Sequence, residues 1–120
     1  MALKKVKGGF IGMRKNGVKT VKIKPDLAVL WNNKGAEFFR LERYDEARVA
    51  FSQATEIRPT LVPAWYNLAS VCVAEGKKEE ALSKLKKAIE TDPDIKKTVR
   101  EANCFRALWK NRDFKRLVAN

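Results

Sequence analysis

Side chains able to carry out chemistry are scarce in this sequence. None of its 120 residues is histidine, so the group that most often moves protons near neutral pH is missing. Cys72 and Cys104 are the only two cysteines. Without a histidine they have no base to activate a thiol, and their spacing is not that of metal ligands. The chain also lacks a Gly-rich phosphate loop with its lysine, and a G-x-S-x-G nucleophile turn. The acidic pairs Asp45–Glu46 and Glu79–Glu80 recur where new helices are expected to begin, and negative charge there suits the helix dipole. A non-catalytic chain that needs no cofactor and no metal is the expectation.

The remaining chemistry is recognition. "WNNKG" (31–35) sets two amides and a lysine behind a tryptophan, and "WYNLA" (65–69) returns thirty-four residues later. A carboxamide both donates and accepts, so Asn33 and Asn67 can pair with any peptide unit without reading sequence. The other resource is charge. The net +12 is uneven: residues 1–24 hold eight basic and no acidic residues, 25–93 hold ten against eleven, and 94–120 hold eight against three. Two basic ends therefore flank a near-neutral middle, which favours polyanions or acidic partners.

The elements that must hold these side chains are written as a repeat. Aligning Ala28–Leu61 with Val62–Ile95 superimposes seven identical pairs, from Trp31/Trp65 and Asn33/Asn67 to Ala47/Ala81, Ala54/Ala88 and Pro59/Pro93. Gly35/Ala69, Asp45/Glu79 and Phe51/Leu85 are conservative pairs between them. This pattern resembles the tetratricopeptide repeat, with W-x2-L-G-x2-Y, then A-x3-F, then A and P. The matching residues are Trp31, Gly35, Phe38, Ala47, Phe51, Ala54 and Pro59, then Trp65, Leu68, Ala69, Cys72, Ala81, Leu85, Ala88 and Pro93.

The resemblance implies an all-α fold, a short right-handed solenoid of helical hairpins. Its domain would span 26–120, with repeats at 28–61 and 62–95 and a cap at 96–120. Helices are expected near 27–41, 44–57, 61–75, 77–91 and 94–103, with Asp26 as the first N-cap. At about 100° per residue, Trp31, Gly35 and Phe38 share an inward face. Pro59 and Pro93 end the second helices, because a residue before proline leaves the helical region. Cys72 stands at a core position. In "CFRALWKNRDFKRLV" (104–118) interleaved apolar residues would close the last repeat and its basic residues would face water. Basic residues among aromatics also suit nucleic acid.

Members of this family bind peptides or partner proteins in a groove lined by the first (A) helix of each hairpin. Carried onto this chain, the groove residues are Asn32, Asn33, Tyr66, Asn67, Ser70, Lys97 and Arg100, and Cys104 falls near them. Some members clamp a chaperone's terminal carboxylate; Lys97 matches that pattern, but Asn32, Ala36 and Glu101 do not. Lys34 stands where the family has leucine, its alkyl stem able to cover apolar surface. A protein or peptide partner is therefore expected, and self-association through the open face of the first repeat is a further expectation.

Residues 1–25 form a basic arm outside the repeats. "KNGV" suits a type I′ hairpin turn that would pair Phe10 with Ile23 and Gly12 with Val21. An isolated hairpin is marginal in water. A docked hairpin and a flexible arm both fit. Lys4, Lys5, Lys7, Arg14, Lys15, Lys19, Lys22 and Lys24 offer a polyanion site for nucleic acid, a ribosome or an anionic membrane. If about four met phosphates, affinity would fall with roughly the −3.6 power of salt. No signal-peptide core or apolar run of about 18 residues occurs, so a soluble cytoplasmic protein is expected.

Overall fold

The computed structural model describes residues 26–119. Four helices of similar length make two hairpins: α1 (Leu27–Arg40) with α2 (Tyr44–Ile57), and α3 (Val62–Ala74) with α4 (Lys78–Thr91). A 3-10 turn at Pro93–Ile95 leads into α5 (Lys96–Glu101). A second 3-10 segment (Asn103–Leu108) and α6 (Arg112–Leu117) follow. No strand, and no helix long and apolar enough to cross a membrane, occurs among the described residues.

Each boundary has a local cause. Asp26 caps α1, its carboxylate accepting from the Val29 N–H at 3.3 Å and pairing with Arg58. Burial works against the Asp26 anion, but the Arg58 and Val29 hydrogen bonds outweigh it and hold the carboxyl below its ordinary range. The B helices α2 and α4 start without a side-chain cap and instead carry Asp45–Glu46 and Glu79–Glu80 in their first turns. They stop at Arg58 and Asp92, both extended and both followed by proline.

The turn inside each hairpin needs one left-handed residue. The second repeat uses Gly76 (φ 78°), and the first places Glu42 (φ 59°) at the equivalent position. A left-handed conformation costs a non-glycine residue about 1–2 kcal/mol. Glu42→Gly should therefore stabilise the domain by about 0.5–1 kcal/mol, after allowing for glycine's greater unfolded freedom. Gly76→Ala should destabilise it by about 1 kcal/mol through backbone strain alone, because an added Cβ meets no atom within 4 Å. Urea midpoints of the two variants moving in the same direction would refute this reading.

The core runs between the hairpins and into the cap. Ala47, Phe51, Leu68 and Val71 form one cluster. Ala69, Cys72, Ala81, Leu85, Val99, Phe105, Leu108 and Phe114 contribute to the other. Small residues where helices cross let the backbones approach: Ala47, Ala69 and Ala81 are fully buried. Cys72 is buried there too, and desolvation pushes its thiol above the ordinary range.

Two expectations need correction. Trp31, expected on the inward face with Gly35 and Phe38, is 39 % exposed beside Leu27 (55 %) and Leu30 (50 %). Its counterpart Trp65 packs on the Ala47–Phe51–Leu68 cluster, whereas among the described residues no helix lies in front of α1 to cover Trp31. A shallow apolar cleft of about 320 Å³ opens there, bordered by Lys34. The fifth helix, expected over 94–103, contains only six α-helical residues and breaks at Ala102, whose backbone is extended (φ −74°, ψ 128°). The break lets Phe105 turn into the core and meet the Tyr66 ring edge-on, with centroids 5.0 Å apart.

Candidate functional site

The A helices α1 and α3 run side by side, and the turn at Asn103–Leu108 packs against α3. Between them lies a cleft of about 240 Å³. Ala36, Phe39 and Phe51 supply its apolar lining, with Arg40, Asn67, Ser70 and Cys104 around them. Arg40 comes from the last turn of α1, and its guanidinium is held at 3.0 Å by Glu37 one turn earlier.

Most of the polar side chains have fixed partners. Asn67 donates from Nδ2 to Asn32 Oδ1 at 3.0 Å, joining the two A helices through their amides. This leaves the second Asn67 N–H and both carbonyl oxygens with capacity for a ligand. Ser70 donates to the Tyr66 carbonyl at 3.2 Å, and its hydroxyl lies 3.6 Å from Cys104 Sγ. The Tyr66 hydroxyl is 3.7 Å from the same sulfur. Desolvation, followed by the Cys104 contact, pushes the Tyr66 phenol up to about 12.

The expected groove residues divide. Asn32, Tyr66, Asn67 and Ser70 come together around the cleft. Asn33, although it repeats Asn67, is exposed and makes no hydrogen bond among the described residues. One helix turn carries two amides, and Asn32 is the one aimed at the neighbouring helix. Arg100 donates from Nη1 to the Val118 carbonyl at 2.7 Å, which ties α5 to the end of the cap. Lys96 reaches the Ala119 carbonyl at 3.2 Å, while Lys97 is exposed. Lys34 lies against the Phe38 ring, its ammonium 5.5 Å from the centroid. The eight basic residues of the arm, and the hairpin expected there, lie outside the described residues.

The sequence reading had not placed Phe39 and Phe51 in the groove lining. Phe38 and Phe39 are adjacent, so they must point to different sides of α1. That doublet was the available signal that the two phenyls would meet different neighbours: Phe39 packs on Tyr44 of α2, ring centroids 5.5 Å apart, and also borders the cleft.

An all-α array of paired helices, its A-helix side bearing a small cleft with amide and hydroxyl groups, defines a helical-repeat protein. The family follows from comparison: residues 28–61 and 62–95 each match the tetratricopeptide repeat. The chain belongs to the tetratricopeptide repeat family. It is similar to the "peroxisomal targeting signal receptor" of Candida albicans, 41 % identical over 63 residues, covering 52 % of this chain and 11 % of that protein. The receptor of the same name from Eremothecium gossypii is 36 % identical over 67 residues, covering 56 % and 12 %. The "small glutamine-rich tetratricopeptide repeat-containing protein 2" of Mycosarcoma maydis is 28 % identical over 75 residues, covering 62 % and 21 %. The similar stretch is thus about a tenth to a fifth of each relative's length.

Proposed function

We propose that the chain is a non-catalytic, cytoplasmic adaptor that binds an extended peptide or protein segment along its A helices. The observation that carries this reading is the cleft between α1 and α3. Its apolar lining can take one side chain, and the Asn32–Asn67 amide pair beside it can meet a passing backbone. Two of the relatives are, by name, receptors for a targeting signal, which agrees with recognition of a protein segment.

The test begins with a ligand selected from a displayed random-peptide library on the full chain. Asn67→Ala should weaken binding of the selected peptide about tenfold, the loss of roughly one well-placed hydrogen bond. Because the Tyr66 ring packs on Phe105, Tyr66→Phe is the informative change there: it removes the hydroxyl and keeps the contact. Far-UV circular dichroism should be unchanged in both variants. Affinity unaffected by Asn67→Ala, Ser70→Ala and Phe39→Ala together would remove the groove from consideration.

A further inference from the structure

Several exposed basic residues of the cap lack the carboxylate partners that the arginines of the repeats have. In the repeats, each one meets a carboxylate: Arg40 with Glu37, Arg43 with Glu46, Arg48 with Glu75 and Glu80, and Arg58 with Asp26. In the cap, Arg106 and Arg112 are exposed with no carboxylate in ion-pair range among the described residues, as are Lys97, Lys110 and Lys115. Arg116 reaches only Asp113, at 3.9 Å, with both side chains largely in water (74 % and 71 % exposed). An ion pair that open is worth little, as is the similarly open Arg40–Glu37 pair (66 % and 65 % exposed). Five of the eight basic residues of 94–120 (Lys97, Arg106, Lys110, Arg112 and Lys115) therefore face solvent with no carboxylate partner among the described residues.

The 3-10 segment of the cap sets part of this charge beside an aromatic ring. Phe105 and Leu108 turn into the core, which sends Arg106, Trp109 and Lys110 outward, and Trp109 is 36 % exposed. The Arg106 guanidinium lies 5.8 Å from the Trp109 ring. On α6, Arg112, Lys115 and Arg116 share the face opposite Phe114.

We infer that the C-terminal cap is a binding surface for single-stranded nucleic acid, with phosphates meeting Arg106, Lys110, Arg112 and Lys115 and a base stacking near Trp109. Basic side chains that follow a backbone, combined with an aromatic platform, are the requirements for sequence-tolerant single-strand binding. A lipid surface would require a continuous apolar face, and Trp109 is the only exposed large hydrophobic residue among 96–119. An acidic polypeptide would use the charge without the stacking of a base on the indole, and polyglutamate in the test separates the two. The inference is independent of the peptide groove and of residues 1–25.

The test is fluorescence anisotropy of a labelled oligothymidylate with the full chain, in a background where the eight basic residues of the arm are changed to glutamine. Binding should persist at low salt. With about four phosphate contacts, its logarithm should fall with a slope near −2.8, or roughly fiftyfold for a fourfold rise in salt. Arg106→Gln, Lys110→Gln and Arg112→Gln together should reduce that slope by about 2. Trp109→Ala should weaken binding about tenfold, while Trp109→Phe retains most of it, with circular dichroism confirming that each variant is folded. The inference is overturned by absence of binding in the arm-neutral background, or by full affinity in Trp109→Ala. It is also overturned if phosphatidylserine vesicles or polyglutamate bind as tightly with the same dependence on Trp109.

Discussion

Gly35→Ala should destabilise the domain by about 2–3 kcal/mol, even though alanine is the better helix former by about 1 kcal/mol. A Cβ on Gly35 would lie 2.5 Å from Cδ1 and Cε1 of Phe51 and 3.0 Å from its Cγ. Phe51 is only 1 % exposed, so its ring has little room to retreat. The second repeat shows how the clash is avoided. There the same two positions hold Ala69 and Leu85, both fully buried: a methyl group faces a smaller side chain. The two repeats fill one crossing in two complementary ways. Phe51→Leu alone should cost about 1–2 kcal/mol by leaving space around Gly35. The double variant Gly35→Ala with Phe51→Leu should recover at least about 1 kcal/mol relative to the sum of the single effects. Additive urea unfolding energies would show that the crossing does not have this complementarity.

Arg48→Met should cost roughly 1–2 kcal/mol, less than a fully buried ion pair because water still reaches the site. The Arg48 guanidinium joins α2 to the following hairpin, contacting Glu80 at 2.5 Å, Glu75, and Cys72 Sγ at 3.7 Å. Its side chain is 24 % exposed. Hydrogen bonding to Arg48, the largest influence on both acids, holds Glu75 and Glu80 below the ordinary carboxylate range. Groups with a lowered folded pKa stabilise the fold above their unfolded pKa, and that contribution disappears as pH falls through the folded values. The stability gap between wild type and Arg48→Met should therefore be full at neutral pH and close in acid. A gap independent of pH would mean that Arg48 acts by packing alone.

The repeat was legible because its period depends on residue size. Small residues must recur at helix crossings and prolines where B helices stop, so two copies could be aligned and their boundaries agree with the family match at 28–61 and 62–95. What depends on distant parts of the chain was not legible. Arg48 precedes Glu75 and Glu80 by 27 and 32 residues, and no local pattern announces their meeting. Trp31 reads as a core residue until the absence of a covering helix among the described residues leaves it open. Along the A helices, the sequence did not reveal which side chains were already engaged. Asn67 spends one N–H on Asn32, and Arg100 is tied to the cap carbonyl of Val118. The Asn33–Asn67 recurrence pointed to the side of α1 and α3 where their amides lie, and the rotation of α1 selected Asn32 as the residue that joins the helices.

The central claim is that a protein segment lies along the A helices. The most direct measurement is the amide ¹H–¹⁵N spectrum of the labelled full chain, titrated with the peptide selected on it. The proposed function predicts shifts concentrated at Ala36, Phe39, Asn67 and Ser70, which need about tenfold more peptide to appear in Asn67→Ala. Shifts confined to the outer faces of α2 and α4, or to residues 1–25, would contradict it.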